Sequence, residues 1–172
     1  MLIEPGNVAM VSTANKGKKN LMTMSWHMVM DFTPRFACLI GPWDFTYDAL
    51  VDTKECVLAI PPVSIIEKVI GVGNCSGRDV ESKFEKFGLT PLKARHVKAP
   101  LVKECLYNIE CRVVDHIKKH DIFVLDAVAA WRNPSCKERR GFHAVGNGMF
   151  IADGEKLDMR NLMTRFPEVT RL

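Results

Sequence analysis

Short apolar runs bounded by turn-forming residues make up most of this chain, and few of them are followed by a helix. The clearest runs cover residues 8–11, 35–40, 55–60, 106–114 and 122–131. Such runs, closed by glycine, proline or a polar turn, are typical of β-strands. Because strands and helices do not alternate regularly, a doubly wound parallel sheet is disfavoured. The sequence predicts a mainly β fold, an antiparallel barrel or sandwich with inserted short helices.

Helical patterns are confined to the middle of the chain. Ser64 and Ser76 each precede a carboxylate by three residues, which is the spacing of a capping box. This spacing predicts helices near 64–72 and 77–87, and a shorter helix is expected over 46–52. The helix near 77–87 would bury a stripe formed by Val80, Phe84 and Phe87.

The segment 21–30 alternates in character with the period of a β-strand. Its polar face carries Thr23, Ser25 and His27, where solvent-facing strands usually carry Lys or Glu. A plain half-exposed strand explains the apolar face but explains these small hydrogen-bonding groups less well. We therefore expect one strand with a buried apolar face, formed by Met22, Met24, Trp26, Met28 and Met30.

Length and composition indicate one ordinary globular domain, taken as residues 1–172. Hydrophobic residues are 47% and charged residues 26% of the chain. The net charge of +4 comes from 24 basic residues diluted by 20 acidic ones. We therefore expect no nucleic-acid partner, and we interpret the basic cluster Lys16, Lys18 and Lys19 as a solvated turn.

Several classes of protein are disfavoured by missing signals. The N-terminus lacks a basic region followed by an apolar run, and no apolar stretch is long enough to span a bilayer. We expect a cytoplasmic protein with no membrane partner. The six cysteines include no C-x-x-C pair, so we expect free thiols and no structural zinc.

A possible anion site begins at Ser76, Gly77 and Arg78. The start of the predicted helix would offer unpaired N–H groups, and Arg78 and Lys83 would add positive charge. Thr46 and Tyr47 open another predicted helix and offer a second cluster of donors. Each corner alone is explained as an ordinary helix cap, but together they suit a phosphate monoester. Walker and Rossmann glycine motifs are missing.

The histidines and nucleophiles give weaker signals. His116 and His120 flank a polar turn, where solvated histidines are more common than metal ligands, so no metal site is predicted. His143 precedes a glycine-rich turn, and a structural role and a role beside a ligand both stay open. The chain has no G-x-S-x-G elbow. This suits a protein whose cofactor supplies the chemistry.

Three segments together resemble the flavin reductase-like family, the FMN-binding split barrels that include the flavoredoxins. Residues 20–26 (N-L-M-T-M-S-W) are similar to the family's N-x-M-T-x-S-W strand. Residues 75–78 (C-S-G-R), followed by K-F at 83–84 and G-L at 88–89, are similar to its S-G-R…K-F…G-L segment. Residues 108–113 and 120–124 look like its C-terminal hairpin. The resemblance covers roughly residues 6–148.

The resemblance implies a Greek-key split β-barrel, a homodimer, and FMN in a groove near the subunit interface. It implies that Thr46, Tyr47, Ser76, Gly77, Arg78 and Lys83 hold the phosphate. It also implies that His143 is the catalytic residue, placed near the ring where a nicotinamide can approach. The remaining cofactor-binding residues on this pattern are Asn20, Met22, Thr23, Met24, Ser25, Trp26 and Cys75.

Two positions depart from the family pattern. Ala59 or Ile60 lies where many relatives have an asparagine, and Leu125 lies where a glycine is common. The first departure removes a polar contact to the flavin, and the second affects local geometry.

The resemblance implies an oxidoreductase of the NAD(P)H:flavin type. Bound FMN would take a hydride from NADH or NADPH and pass electrons to free flavin, iron or a redox protein partner. Two alternatives stay open. One is a flavoredoxin-like electron carrier reduced by a protein partner, and the other is an FMN-binding module without turnover of its own.

Overall fold

A computed structural model of the chain describes residues 6–162. The predicted domain therefore extends beyond the described part at both ends, by residues 1–5 and 163–172. Within the described part, none of the helices has the length and apolar character needed to cross a membrane.

The described residues form eleven strands and three α-helices. The strands are β1 (Ala9–Asn15), β2 (Lys18–Met24), β3 (His27–Val29), β4 (Arg35–Leu39), β5 (Glu55–Ile60), β6 (Pro91–Leu92), β7 (Leu101–Val102), β8 (Tyr107–Ile117), β9 (Ile122–Arg132), β10 (Phe142–Gly146) and β11 (Met149–Ala152). The helices are α1 (Phe45–Thr53), α2 (Ile66–Gly73) and α3 (Lys83–Lys86), and 3-10 turns cover Val63–Ile65, Lys118–His120 and Arg160–Leu162.

Seven strands form one antiparallel sheet, in the order β2-β1-β5-β8-β9-β4-β3. The hairpins β6-β7 and β10-β11 lie outside it. The pairing of β8 with β9 shifts register twice, next to Glu110 and next to Val113, and bulges of this kind bend a sheet. The result is a curled half barrel with few short helices, which confirms the predicted fold class.

Both faces of the curled sheet are covered. One face packs with α2 around Met10, Leu21 and Val69, and the other face encloses a core around Leu58 and Phe123. Phe123, Val124 and Leu125 are all buried within the single chain. This apolar run fills the chain's own core, so it gives no support for a subunit interface. The homodimer itself stays a prediction.

The segment 21–30 is two strands rather than one. β2 ends at Met24 and pairs with β1, whereas β3 begins at His27 and pairs with β4 at the opposite edge of the sheet. The predicted buried apolar face is also wrong, because Trp26, Met28 and Met30 are 50%, 58% and 45% exposed. Burial requires a covering layer, and the edge strand β3 lacks one among the described residues.

The helix predicted near 77–87 is reduced to α3. The Ser76 hydroxyl accepts a hydrogen bond from the N–H of Arg78 at 3.2 Å, which makes a local turn rather than a helix cap. Ser82 caps α3 instead, accepting from the N–H of Glu85 at 3.2 Å. A Ser-Gly pair favours turns over helix, so local turn chemistry outweighed the capping-box spacing. The helix near 64–72 is confirmed as α2, although no side chain caps it.

Candidate functional site

Two adjoining cavities follow β2 and form a groove. The first, of about 240 Å³, lies between β2, the start of α1, the end of α2 and residues 74–77. The second, of about 230 Å³, continues along residues 22–26. The two cavities share Met22, Thr23, Trp43 and Asp44. Together they fall in the range of roughly 300–1,000 Å³ that is typical of small-molecule sites.

Lys83 supplies a buried positive charge to the first cavity. The residue is only 5% exposed, and its Nζ donates to the carbonyl oxygen of Val72 at 3.0 Å. Burial lowers the pKa of Lys83, while the neighbouring Cys75, Asp44 and Asp79 oppose this shift. An ammonium group has three donors, so the bond to Val72 leaves donors for a ligand in the cavity. Lys83 is therefore the cationic side chain that lines the first cavity.

Asn20 and Thr46 form the floor of the same cavity. The Nδ2 of Asn20 donates to the Oγ1 of Thr46 at 3.0 Å, and both residues are buried. Thr46 lies in the first turn of α1, where backbone N–H groups lack intrahelical partners. Asn20 and Thr46, both cofactor-binding residues on the family pattern, therefore line the same cavity as Lys83.

Asp44 is the acidic residue of the groove. Its carboxylate accepts from the N–H of Gly41 at 3.1 Å. Burial raises the pKa of Asp44, while the bond from Gly41 and the charges of Arg78 and Lys83 lower it. Asp44 was not predicted from the sequence, because it is the N-cap residue of α1, which begins one residue before the predicted helix over 46–52.

Gly77 is a tightly packed residue in the wall of the first cavity. A Cβ at this position would lie 2.3 Å from the Cδ1 of Phe45 and 2.6 Å from the Oδ1 of Asn20. Lys18 fastens this wall from outside, since its Nζ donates to the carbonyl oxygens of Gly77 and Val80 at 2.6 and 3.1 Å. The interpretation of Lys18 as part of a solvated turn is therefore wrong. Only the folded chain brings residues 18 and 77 together.

Ser76 and Cys75 complete the wall, and both line the first cavity as predicted. The Nζ of Lys86 lies 3.7 Å from the Sγ of Cys75. Asn74 also lines this cavity and was missed by the sequence analysis, although it directly precedes the motif at 75–78.

Two of the predicted phosphate ligands lie elsewhere. The guanidinium of Arg78 donates to the carbonyl oxygen of Trp43 at 3.1 Å, and Arg78 is not among the residues that line the groove. The ring of Tyr47 packs edge-on against His116 and Phe123, at centroid distances of 5.5 and 5.6 Å. Tyr47 thus contributes to the barrel core rather than to the cavity.

The polar side chains of residues 23–26 follow the groove. Thr23 donates from Oγ1 to the carbonyl oxygen of Val69 at 2.7 Å, which ties β2 to α2. Ser25 and Trp26 line the second cavity together with the buried Met24. The structure therefore brings together the residues that the resemblance assigned to the flavin ring.

His143 does not line either cavity of the groove. Its Nε2 forms a 2.7 Å hydrogen bond with the Oδ1 of Asp153. The next residue, Ala144, lines a third cavity of about 280 Å³ that also borders Thr23 and Ser25. Successive side chains of a strand lie on opposite faces, so His143 lies on the side of β10 away from this cavity. The structure therefore supports a structural role for the His143–Asp153 pair.

The interpretation of His116 as a solvated histidine beside a turn is wrong. His116 lies in β8 and stacks on Phe123, with ring centroids 4.0 Å apart and an interplanar angle of 9°. Burial, together with the charges of Lys54 and Lys118, lowers the pKa of His116. Within residues 6–162, no three potential metal-ligating side chains come together.

A curled antiparallel half barrel is the fold of the FMN-binding split barrels, and solved structures of that class resemble this chain. The flavoredoxin of Desulfovibrio vulgaris (Miyazaki F) has a TM-score of 0.81 at 24% identity, covering 91% of each chain. The FMN-binding domain of a flavin reductases-like enzyme from Shewanella baltica has a TM-score of 0.81 at 21% identity, covering 89% of this chain and 88% of that one.

The family follows from the sequence match. Residues 1–146 match the model of the flavin reductase like domain, and the chain belongs to this family. An uncharacterized protein of Archaeoglobus fulgidus is 36% identical over 110 residues, and the match covers 62% of each chain. One from Pyrococcus abyssi is 30% identical over 126 residues, covering 72% of each. The match thus spans less than two thirds of the Archaeoglobus protein.

Proposed function

We propose that this chain binds FMN in the groove along β2, with the phosphate at Lys83. The proposal rests on the buried ammonium group of Lys83. It lines a cavity that is also lined by Thr46, Ser76 and Gly77. A phosphate monoester has several strong acceptor oxygens, and a desolvated cation with spare donors is a suitable partner. Membership of the flavin reductase-like family supports the same ligand.

The residues present fit the whole of FMN and not only its phosphate. The groove continues from the polar cavity around Lys83 to residues 22–26, where methionine and indole side chains suit an aromatic ring system. Thr23 and Ser25 lie within this second part, where hydroxyl groups suit a polyhydroxylated chain.

Bound FMN would supply the redox chemistry, in which a hydride is accepted and electrons are passed on. The chain's own residues would hold and orient it. Lys83 would neutralise the phosphate, Gly77 would allow close approach, and Asn20 would keep Thr46 oriented. No side chain of the groove needs to act as a nucleophile in such a protein.

We infer that the reaction is an NAD(P)H:flavin oxidoreductase reaction through bound FMN. NADH or NADPH would approach over the second cavity, where Trp26 is half exposed. His143, bonded to Asp153, would act on the ring only after a rearrangement. The proposed activity therefore does not depend on it.

A second candidate is a flavoredoxin-like electron carrier reduced by a protein partner. The side chain of Trp43, which lines both cavities and is 64% exposed, favours it, because it gives the open side of the groove an apolar surface that a protein could contact. The likeness to the Desulfovibrio flavoredoxin supports the fold of such a carrier.

Anaerobic stopped-flow absorbance separates the two candidates. The FMN-loaded protein is mixed with NADH and, separately, with NADPH, and bleaching of the flavin band is followed. We expect bleaching by at least one nucleotide, at a rate that saturates with its concentration. Bleaching by neither nucleotide, with bleaching by a reduced ferredoxin, would favour the carrier and contradict the oxidoreductase.

A further inference from the structure

We propose that this protein has a second anion site, separate from the groove, which binds an organic molecule with several phosphate charges. The site is a cavity of about 520 Å³ beneath and beside the loop at residues 93–100. Basic residues outnumber acidic ones in its lining. Its charged and titratable lining residues are Lys19, Glu55, Lys93, Arg95, His96 and Lys98.

The lining of this cavity has a net positive charge. Four basic residues and one acidic residue line it, giving a local charge of +3 with histidine neutral. The whole chain carries +4. A concave surface lined by one sign of charge focuses the field and attracts ions of the opposite sign. The lining of this cavity should therefore attract anions.

Hydrogen bonds to one buried carboxylate fix the backbone of the loop that carries these charges. Glu110 is fully buried, and its carboxylate accepts from the backbone N–H groups of Arg95, His96 and Val97 at 2.5–3.1 Å. The indole Nε1–H of Trp131 donates to the same carboxylate at 2.7 Å. The loop is thus ordered before any ligand arrives, which lowers the entropic cost of binding.

Apolar contacts hold the rest of the loop. Ala94, Val97 and Ala99 pack against Val57 of the main sheet, while Lys93, Arg95 and Lys98 remain exposed. The buried carboxylate of Glu110 thus fixes the loop backbone at three consecutive N–H groups. The basic side chains project outward from this fixed backbone.

The size of the cavity favours a small molecule over a macromolecular partner. Its volume lies within the range of roughly 300–1,000 Å³ found for small-molecule sites. Pro91, Leu92 and Pro100 supply apolar walls beside the cations. A nucleotide-sized ligand, with a flat apolar part and several phosphate charges, matches both features.

This cavity shares none of its lining residues with the groove along β2. Lys19 lines the cavity, whereas its neighbour Asn20 lines the groove, because adjacent side chains of a strand lie on opposite faces. A ligand here would therefore not compete with FMN for the same contacts.

The test is a titration of the ¹⁵N-labelled protein with metal-free ATP in saturating FMN, followed by amide NMR shifts. We expect shifts at residues 93–98 and at the indole N–H of Trp131. Adenosine, which lacks phosphate, should cause no shifts there. Because the readout lies at the loop, it reports on this site whether or not FMN occupies the groove.

A pair of matched double variants tests the role of charge. Lys93→Gln/Arg95→Gln should weaken ATP binding about tenfold or more, since two charge-assisted contacts are lost. Lys118→Gln/Lys119→Gln removes the same charge from an exposed turn and should leave the affinity unchanged. If the first double variant does not fold, Lys98→Gln replaces it, with a smaller loss expected in the same direction.

Three results would overturn the proposal. One is an absence of shifts at residues 93–98 at millimolar ATP. Another is a set of shifts confined to the groove near Lys83. The third is an equal loss of affinity in both double variants, which would mean attraction by net charge alone.

Discussion

At the scale of single residues, the proposed FMN site depends most on Lys83. Lys83 is 5% exposed and donates to one backbone carbonyl oxygen, so its ammonium group has lost most of its hydration. Burying an ammonium group is costly unless an anion or several acceptors compensate it. A bound phosphate would provide that compensation.

Substitution of this lysine gives the first prediction. Lys83→Met should weaken FMN binding about tenfold or more, because a charge-assisted phosphate contact is lost. Riboflavin binding should be unchanged, and equilibrium titration of flavin fluorescence measures both. Lys119→Met, on an exposed turn, is the control and should change neither. An equal effect of Lys83→Met on FMN and riboflavin would contradict a phosphate role.

Gly77 gives a second prediction at this scale. Gly77→Ala places a Cβ 2.3 Å from Phe45 and should destabilise the protein by roughly 1–3 kcal/mol, as overpacking does. It should also weaken FMN binding, because the cavity wall must shift. Urea unfolding and flavin titration measure the two effects. Gly154→Ala is the control, since its Cβ meets nothing within 4 Å. A fully stable Gly77→Ala protein would show that the wall is soft.

At the scale of elements, the loop at 93–100 depends on one carboxylate. Desolvation raises the pKa of Glu110, but the hydrogen bonds from residues 95–97 and from Trp131 lower it by more, so it lies below the ordinary value of 4.5. A depressed carboxyl pKa contributes stability above the unfolded pKa. That contribution is lost as the pH falls through the folded pKa.

The third prediction follows from this linkage. Glu110→Gln should destabilise the protein at neutral pH by roughly 1–3 kcal/mol, because backbone N–H groups lose acceptors. The wild type should lose more stability than the variant as the pH falls from about 5 through the folded pKa. Urea unfolding at several pH values tests this. The exposed Glu81→Gln should leave the profile unchanged, and a profile of Glu110→Gln parallel to that of the wild type would contradict the account.

Elements with a strong local pattern could be predicted from the sequence. β5 and the hairpin β8-β9 lie within a few residues of the apolar runs, and α1 follows its turn signal. Residues 21–30 and 77–87 could not be predicted in the same way. The break between β2 and β3 comes from barrel closure, and Gly77 packs closely against Phe45 and Asn20, which are far from it in the sequence.

The same reasoning applies to the site. Short motifs indicated Asn20, Thr23, Ser76 and Lys83 as candidates, and all four line the first cavity. Contacts between residues that lie far apart in the sequence could not be predicted. The sequence could not reveal that Arg78 bonds to Trp43 or that His143 bonds to Asp153.

At the scale of the whole molecule, exposed apolar side chains gather around the edge strand β3. Met28 and Val29 belong to it, and Trp26 precedes it, while Phe32 follows at 81% exposure. An exposed apolar edge strand invites pairing with another chain. This is the surface on which we now place the predicted homodimer.

The fourth prediction concerns this surface. Val29→Lys should convert the dimer to a monomer at micromolar concentration, because a buried unpaired charge opposes association. Light scattering gives the mass directly. Val114→Lys makes the same change at an exposed position in β8 and should leave the dimer intact. A monomeric mass for the wild type would contradict the dimer.

The measurement that tests the central claim most directly is a paired titration of the purified chain with FMN and riboflavin, followed by flavin fluorescence. A phosphate held by Lys83 predicts that FMN binds about tenfold or more tightly than riboflavin, since the two differ only in that group. Equal affinities, or no binding of FMN at all, would contradict a flavin site in the groove along β2.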